Sequence, residues 1–158
     1  MKAAKEEGIS TCLETCGVFS RELVPKLLEV VDLFLYDIKD TDSIRLKENT
    51  GARLEQVIEN LLAIDAGGGK SVLRCILIPD VNMNPEHGEA LKVLFERLEH
   101  CQYVELLPYH PYGLAKSEQM GMEGVRFMQP DKENVEAFAK MLADWNVPVK
   151  LYGTMFEG

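Results

Sequence analysis

Four times along this chain a short apolar run suited to a β-strand gives way to a segment with helical spacing. That alternation constrains the fold more than any other feature, because parallel strands must be joined by crossovers, which are right-handed and usually helical. Ile9–Glu14 reads as the first strand and runs into a turn at Thr15-Cys16-Gly17. Ser20 suits the N-cap of a helix to Val31, with Leu23, Leu27, Leu28 and Val31 on one stripe. Asp32–Asp37 reads as a buried strand, and a polar stretch, Asp40–Thr50, leads to a helix over Leu54–Ala66. The run Gly67-Gly68-Gly69 stops that helix and feeds a strand at Ser71–Ile78. After a loop at Pro79–Asn84, the pair Asn84-Pro85 opens a helix to about Glu99. Tyr103–Leu107 is the next strand and Pro108–Pro130 is irregular. Lys132–Trp145 is a helix and Val147–Tyr152 a last short strand. The expected class is α/β with a parallel sheet, one unit over residues 1–158, completed as an open doubly wound sheet or as a sector of a (β/α) barrel. Both arrangements gather ligands at the C-terminal ends of the strands.

Those ends carry polar groups. The first strand ends at Glu14-Thr15, the second at Asp37-Ile38-Lys39, and the fourth at Pro108-Tyr109-His110; the third carries Arg74 midway. Strand alternation puts Asp37 and Lys39 on one face, above Leu33 and Leu35, and Arg74 on a face with Val72, Ile76 and Ile78. A guanidinium framed by aliphatic side chains must find an anion, since an unpaired buried charge is strongly destabilising. Lys39 and Arg74 together suit a ligand carboxylate. A scaffold ion pair explains any one of these residues equally well; their gathering at one end of a sheet favours a site. If the strands of Glu14 and Asp37 are neighbours, two carboxylates approach each other with Thr15 nearby. Like charges that close share a proton or recruit a cation, and an all-oxygen set suits a hard one.

Charge narrows the partners. Seventeen Lys and Arg against 26 Asp and Glu give a net −9, which repels a polyanion and argues against nucleic acid. No apolar run approaches the roughly 20 residues that cross a bilayer. The start, Met1–Gly8, lacks the apolar region of a secretory signal, so a cytoplasmic setting is expected. Met1–Gly8 reads instead as the tail of a helix closing on glycine, as though earlier segments preceded it. Cys12 and Cys16 have Cys-x3-Cys spacing, but the next position of a cluster motif is Phe19. Two thiolates are too few for a four-iron cluster, so both are expected to pack structurally. Ile64–Ser71 imitates a phosphate loop, yet lacks its first glycine and joins helix to strand, the wrong direction. His87 and His100 lack a ligand partner at helical spacing and are expected on the surface, while His110 follows a strand end. Met120, Met122 and Met128 are expected to pack.

Three blocks then carry a resemblance: Thr11-Cys-Leu-Glu-Thr-Cys-Gly17, Asp32-Leu-Phe-Leu-Tyr-Asp-Ile-Lys39, and Leu106-Leu-Pro-Tyr-His110 followed by Gly113, Lys116 and Gly121. In order and separation, with Leu73-Arg-Cys-Ile-Leu-Ile-Pro79 between them, they resemble the radical S-adenosylmethionine enzymes that activate glycyl-radical enzymes, pyruvate formate-lyase activating enzyme among them. The resemblance implies the C-terminal portion of a partial (β/α) barrel whose N-terminal strands are missing. It implies S-adenosylmethionine as cofactor, touched by Asp37, Ile38, Lys39, Arg74 and His110, and a [4Fe-4S] cluster in the whole protein. The implied partners are a glycyl-radical enzyme and an electron donor such as flavodoxin or ferredoxin. The cluster motif and the Gly-Gly-Glu-type segment are absent, and Asp80 stands where the family usually has glycine. The isolated chain is therefore expected to be inactive, with no catalytic residue of its own, and to self-associate through an exposed sheet edge. Two other readings compete: a Schiff-base lyase using Lys39, and a non-catalytic remnant that only docks onto a partner.

Overall fold

The computed structural model describes residues 1–111 and 127–156. Gly113, Lys116, Gly121, Met120 and Met122 lie outside the described residues, as does much of the irregular stretch expected between Pro108 and Pro130.

Among the described residues six strands form one sheet in sequential order. They are β1 (Cys12–Thr15), β2 (Leu33–Ile38), β3 (Ser71–Leu77), β4 (Cys101–Pro108), β5 (Val149–Leu151) and β6 (Thr154–Met155). β1 to β5 are parallel; β6 turns back antiparallel on β5. The α-helices among the described residues are α1 (Lys2–Glu6), α2 (Val24–Val30), α3 (Ser43–Thr50), α4 (Leu54–Ala66), α5 (Pro85–Glu96) and α6 (Lys132–Asp144). The α/β class with a parallel sheet holds. Among the described residues no helix is long and apolar enough to cross a membrane.

Period-two alternation decides which side chains meet the helices. Phe34, Tyr36 and Ile38 of β2, Leu73, Cys75 and Leu77 of β3, Val104 and Leu106 of β4, and Val149 and Leu151 of β5 are all buried. They share a core with Val57, Leu61 and Ile64 of α4, Leu91 and Leu94 of α5, and Val135, Phe138, Ala139 and Leu142 of α6. Each fully buried Val, Leu, Ile or Phe among them contributes about 1.5–3 kcal/mol by leaving water. Most of the alternate set, Leu33, Leu35, Arg74, Ile76, Tyr103, Glu105, Leu107 and Lys150, is only half-buried, while Val72 and Asp37 on the same face are buried. One face of the sheet is a core and the other is the surface on which the polar groups sit.

Several expectations need correction. The polar stretch from Asp40 contains a true helix, α3, started by the Asp42 carboxylate accepting from Arg45 N at 2.8 Å and closed by Gly51 at φ 73. The first helix is shorter than expected, with a 3-10 turn over Arg21–Leu23 before α2 begins at Val24. His87 is not on the surface but 1% exposed, on one stripe with Leu91 and Leu94. Cys12 and Cys16 are exposed free thiols rather than packed ones, and Met128 is exposed. The imitation phosphate loop does join α4 to β3, as its direction implied.

Candidate functional site

The turn leaving β1 fixes one corner of the site. Gly17 has φ 79, and any Cβ there would run into the Tyr36 hydroxyl. That hydroxyl donates to Val57 O at 2.7 Å, while Asn60 Nδ2 donates to Gly17 O at 2.8 Å. The ends of β1 and β2 are thus tied through buried polar bonds to α4.

At the end of β2, Asp37 is 8% exposed and collects two cations. Lys39 Nζ lies 2.7 Å from Oδ2 and Arg74 Nε lies 2.8 Å from Oδ1. Arg74 also forms an ion pair with Glu14 through Nη2 and Oε1. The register explains the meeting, since Asp37 stands opposite Arg74 and β1 flanks β2. Burial works against the Arg74 charge, but the hydrogen bonds to Asp37 and Glu14 outweigh it and hold the guanidinium firmly protonated. Two acids and two bases form one compensated cluster.

This geometry alters two expectations. The hard cation expected between Glu14 and Asp37 is replaced by the Arg74 guanidinium, which bridges both carboxylates. Thr15 takes no part in that bridge; its Oγ1 accepts from Gly17 N at 3.1 Å. The Asp37 carboxylate stands between Lys39 and Arg74, so the ligand carboxylate expected there would share those two cations with it. Ile38 is fully buried on the helix side of β2, so only its backbone is left to meet a ligand. His110 is exposed and borders a separate cavity beyond the end of β4, at the same end of the sheet.

Behind the cluster lie residues that sequence reasoning missed. Asn82 is fully buried and joins two strand ends. Its Nδ2 donates to Ile76 O at 2.7 Å and Lys39 O at 3.2 Å, and its Oδ1 accepts from Ile78 N at 2.8 Å. The loop that delivers it turns at Asp80, whose φ of 58 is the left-handed conformation a glycine adopts freely. His87 Nδ1 lies 2.7 Å from Thr41 Oγ1, and its buried Nε2 has no partner among the described residues. An unpaired lone pair costs less than an unpaired N–H, which favours the tautomer with Nδ1 donating to Thr41. Desolvation lowers the His87 pKa to about 4, against the pull of Asp40. Asp40 is gripped by both Nε and Nη2 of Arg45, the latter at 2.7 Å from Oδ1. Burial raises its pKa, but these bonds and the Asp42 amide prevail and hold it below the usual carboxylate range. The segment Lys39–Thr41 is therefore held from three sides.

A cavity of about 420 Å³ lies beside this segment, bordered by Cys16, Val18, Lys39, Leu46 and Ala52. Among the described residues no three His, Cys, Asp or Glu side chains come together to hold a metal, so they do not fit an iron–sulfur cluster. They do fit a zwitterionic sulfonium. Such a ligand presents one carboxylate and two positive centres, and the cluster offers both signs at a strand end.

The fold defines the class: among the described residues an α/β protein with a mostly parallel six-stranded sheet, matching the partial barrel of radical S-adenosylmethionine enzymes. A solved domain of a pyruvate-formate lyase-activating enzyme from Bacteroides vulgatus superposes with a TM-score of 0.80 at 20% identity, covering 96% of this chain and 86% of that one. No profile of a known family matches. In sequence the chain is 36% identical over 148 residues to a choline trimethylamine-lyase activating enzyme from Oleidesulfovibrio alaskensis, covering 87% of this chain and 47% of that protein. It is 30% identical to a trans-4-hydroxy-L-proline dehydratase activating enzyme from Clostridioides difficile, covering 94% and 50%. The chain is a homologue of the glycyl-radical-enzyme activating enzymes, and it spans about half the length of the curated relatives it matches.

Proposed function

We propose that this chain supplies the S-adenosylmethionine-binding, C-terminal portion of a radical enzyme that activates a glycyl-radical enzyme. The observation that carries the reading is the compensated cluster of Glu14, Asp37, Lys39 and Arg74 at the C-terminal ends of adjacent parallel strands. That is where open α/β sheets bind ligands. In this reading Lys39 and Arg74 orient the cofactor carboxylate, sharing it with Asp37, and Asp37 and Glu14 face its positive centres. His110 and the backbone of Ile38 complete the contacts. When bound, the cofactor would supply a 5′-deoxyadenosyl group for hydrogen abstraction from a partner glycine; the protein supplies orientation and shielding.

No step through a [4Fe-4S] cluster is assigned to these residues, because they do not fit one. The chain alone is expected to lack activity, and reconstitution with iron and sulfide should leave no stable four-iron spectrum. The partner is a glycyl-radical enzyme, with flavodoxin or ferredoxin as reductant. β1, at one edge of the sheet and followed by exposed Val18, is the surface for self-association, which sedimentation velocity would register as concentration-dependent mass.

Lys39 favours this reading over a Schiff-base lyase. An ammonium 2.7 Å from a carboxylate and half open to water lacks the desolvated setting that makes a lysine nucleophilic. Calorimetric titration with S-adenosylmethionine tests the proposal. Saturable heat that falls at least tenfold in affinity in Lys39→Met supports it; binding that ignores the substitution contradicts it.

A further inference from the structure

His87 ties together two parts of the chain that lie 46 residues apart. It stands in the first turn of α5, buried, with Nδ1 at the Thr41 hydroxyl. Thr41 belongs to the segment Lys39–Thr41, which lies between β2 and α3 and is part of neither. Side chains anchor that segment: Asn82 on Lys39 O, Arg45 on Asp40, and His87 on Thr41. Of the three anchors, only the imidazole has an ordinary pKa near neutral pH.

The surroundings of His87 suit a neutral ring and leave no place for a charged one. A second ring proton would sit on Nε2, which is buried and has no partner among the described residues. A buried N–H without an acceptor is unfavourable, and more so when charged. From α6 the ring meets Phe138, with centroids 6.2 Å apart. Two charges act on it from the α3 side: Asp40 favours the imidazolium, while Arg45, already paired with Asp40, opposes it. Asp42 and, on α5 itself, Glu86 border the cavity beside the ring.

The two flanks differ in how far they can give. α5 and α6 pack so closely that a Cβ on Gly88 would collide with the Met141 side chain. On the Thr41 flank lies a surface cavity of about 310 Å³, bordered by Thr41, Arg45 and Glu86. A protonated His87 therefore reaches water by displacing Thr41 and not by parting the helices.

We propose that His87 and Thr41 form a proton-sensitive latch: neutral His87 holds Lys39–Thr41 against α5, and proton uptake releases the segment without unfolding the sheet. The proton comes from solvent and adds to Nε2, while the bond to Thr41 is exchanged for bonds to water. Lys39 travels with the segment, so release also loosens its ion pair with Asp37. The latch is a property of the free chain, independent of what the charged cluster binds.

Amide hydrogen exchange of the chain at pH 7 and pH 5, followed by NMR and corrected for intrinsic rates, tests it. The Asp42 amide is the reporter, since it donates to Asp40 Oδ1 at 3.0 Å. Asp40 itself stays ionised over this range. The Phe34 and Val104 amides, bonded to Lys70 O and Pro148 O, are the core references. A pKa of about 4 in the closed state against 6.5 in the open one makes Asp42 opening rise about twentyfold from pH 7 to pH 5. At both pH values Asp42 should open more readily than the core references. Thr41→Val removes the acceptor and keeps the imidazole, and should raise Asp42 opening about fivefold already at pH 7. His87→Gln should abolish the pH dependence at Asp42. Asp42 exchanging in step with Phe34 and Val104 would mean that His87 titrates only through global unfolding, which overturns the latch. Asp42 opening that is equal at pH 7 and pH 5, or unmoved by Thr41→Val, overturns it as well.

Discussion

The two ends of the row of strands differ in how firmly they are built. At the ends of β2 and β3 the polar groups around the cluster are tied down: Asp37 by Lys39 and Arg74, Lys39 O by Asn82, Thr41 by His87, Asp40 by Arg45. At β4 and β5 the cavity is bordered by exposed residues, His110 and Tyr152, and by a strained turn. The tied end can orient a charged group with little reorganisation, since its donors are already aimed. The open end can admit a bulky flat group without displacing the core. A ligand charged at one end and aromatic at the other would use both.

Substitutions at the tied end should break this contrast most severely. Arg74→Leu leaves Asp37 nine-tenths buried, with only half-exposed Lys39 as counter-charge, and is expected to cost about 3 kcal/mol in urea unfolding. A loss below about 0.5 kcal/mol, the size of a surface pair, would mean that the cluster is solvated and not built. His87 gives the next largest effect. Its folded pKa of about 4 lies below the ordinary 6.5, so the unfolded chain takes up the proton first on acidification. Stability contributed by neutral His87 is present above pH 6.5 and lost as pH falls toward 4. That group alone should cost about 2 kcal/mol between pH 6.5 and pH 5. His87→Gln should flatten that slope; an unchanged slope would place the titrating group elsewhere. Lys39→Met should have the smallest structural effect, about 0.5 kcal/mol, because the side chain is 42% exposed. Its cost is expected in ligand affinity instead. A variant that loses stability without losing affinity would make Lys39 a scaffold residue.

Legibility in the sequence followed the range of the interaction. The bounds of α4, Leu54–Ala66, and the strand of Arg74 followed from local periodicity and a glycine stop. Asp80 falls in the loop expected after the strand of Arg74, where its backbone is left-handed. The meeting of Glu14, Asp37, Lys39 and Arg74 needed only strand alternation and a parallel order. What alternation did not reveal was that Arg74 would itself pair with both carboxylates. Asn82 was hidden because its three partners are backbone atoms of other segments, which side-chain patterns do not encode. His87 was misread although the i, i+4, i+7 stripe with Leu91 and Leu94 was there to see. A polar residue on that stripe looked like an exception and was in fact core. The α3 helix was obscured by its polarity; the Asp42 cap and Gly51 stop were its legible signals.

The central claim is that one ligand spans both ends of the row. Backbone amide shifts of the isotopically labelled chain, recorded during titration with S-adenosylmethionine, test it most directly. The account predicts that Asp37–Thr41 and the group around Tyr109, His110 and Tyr152 shift together along a single saturation curve. Shifts confined to one end, or two ends saturating at different concentrations, would contradict it.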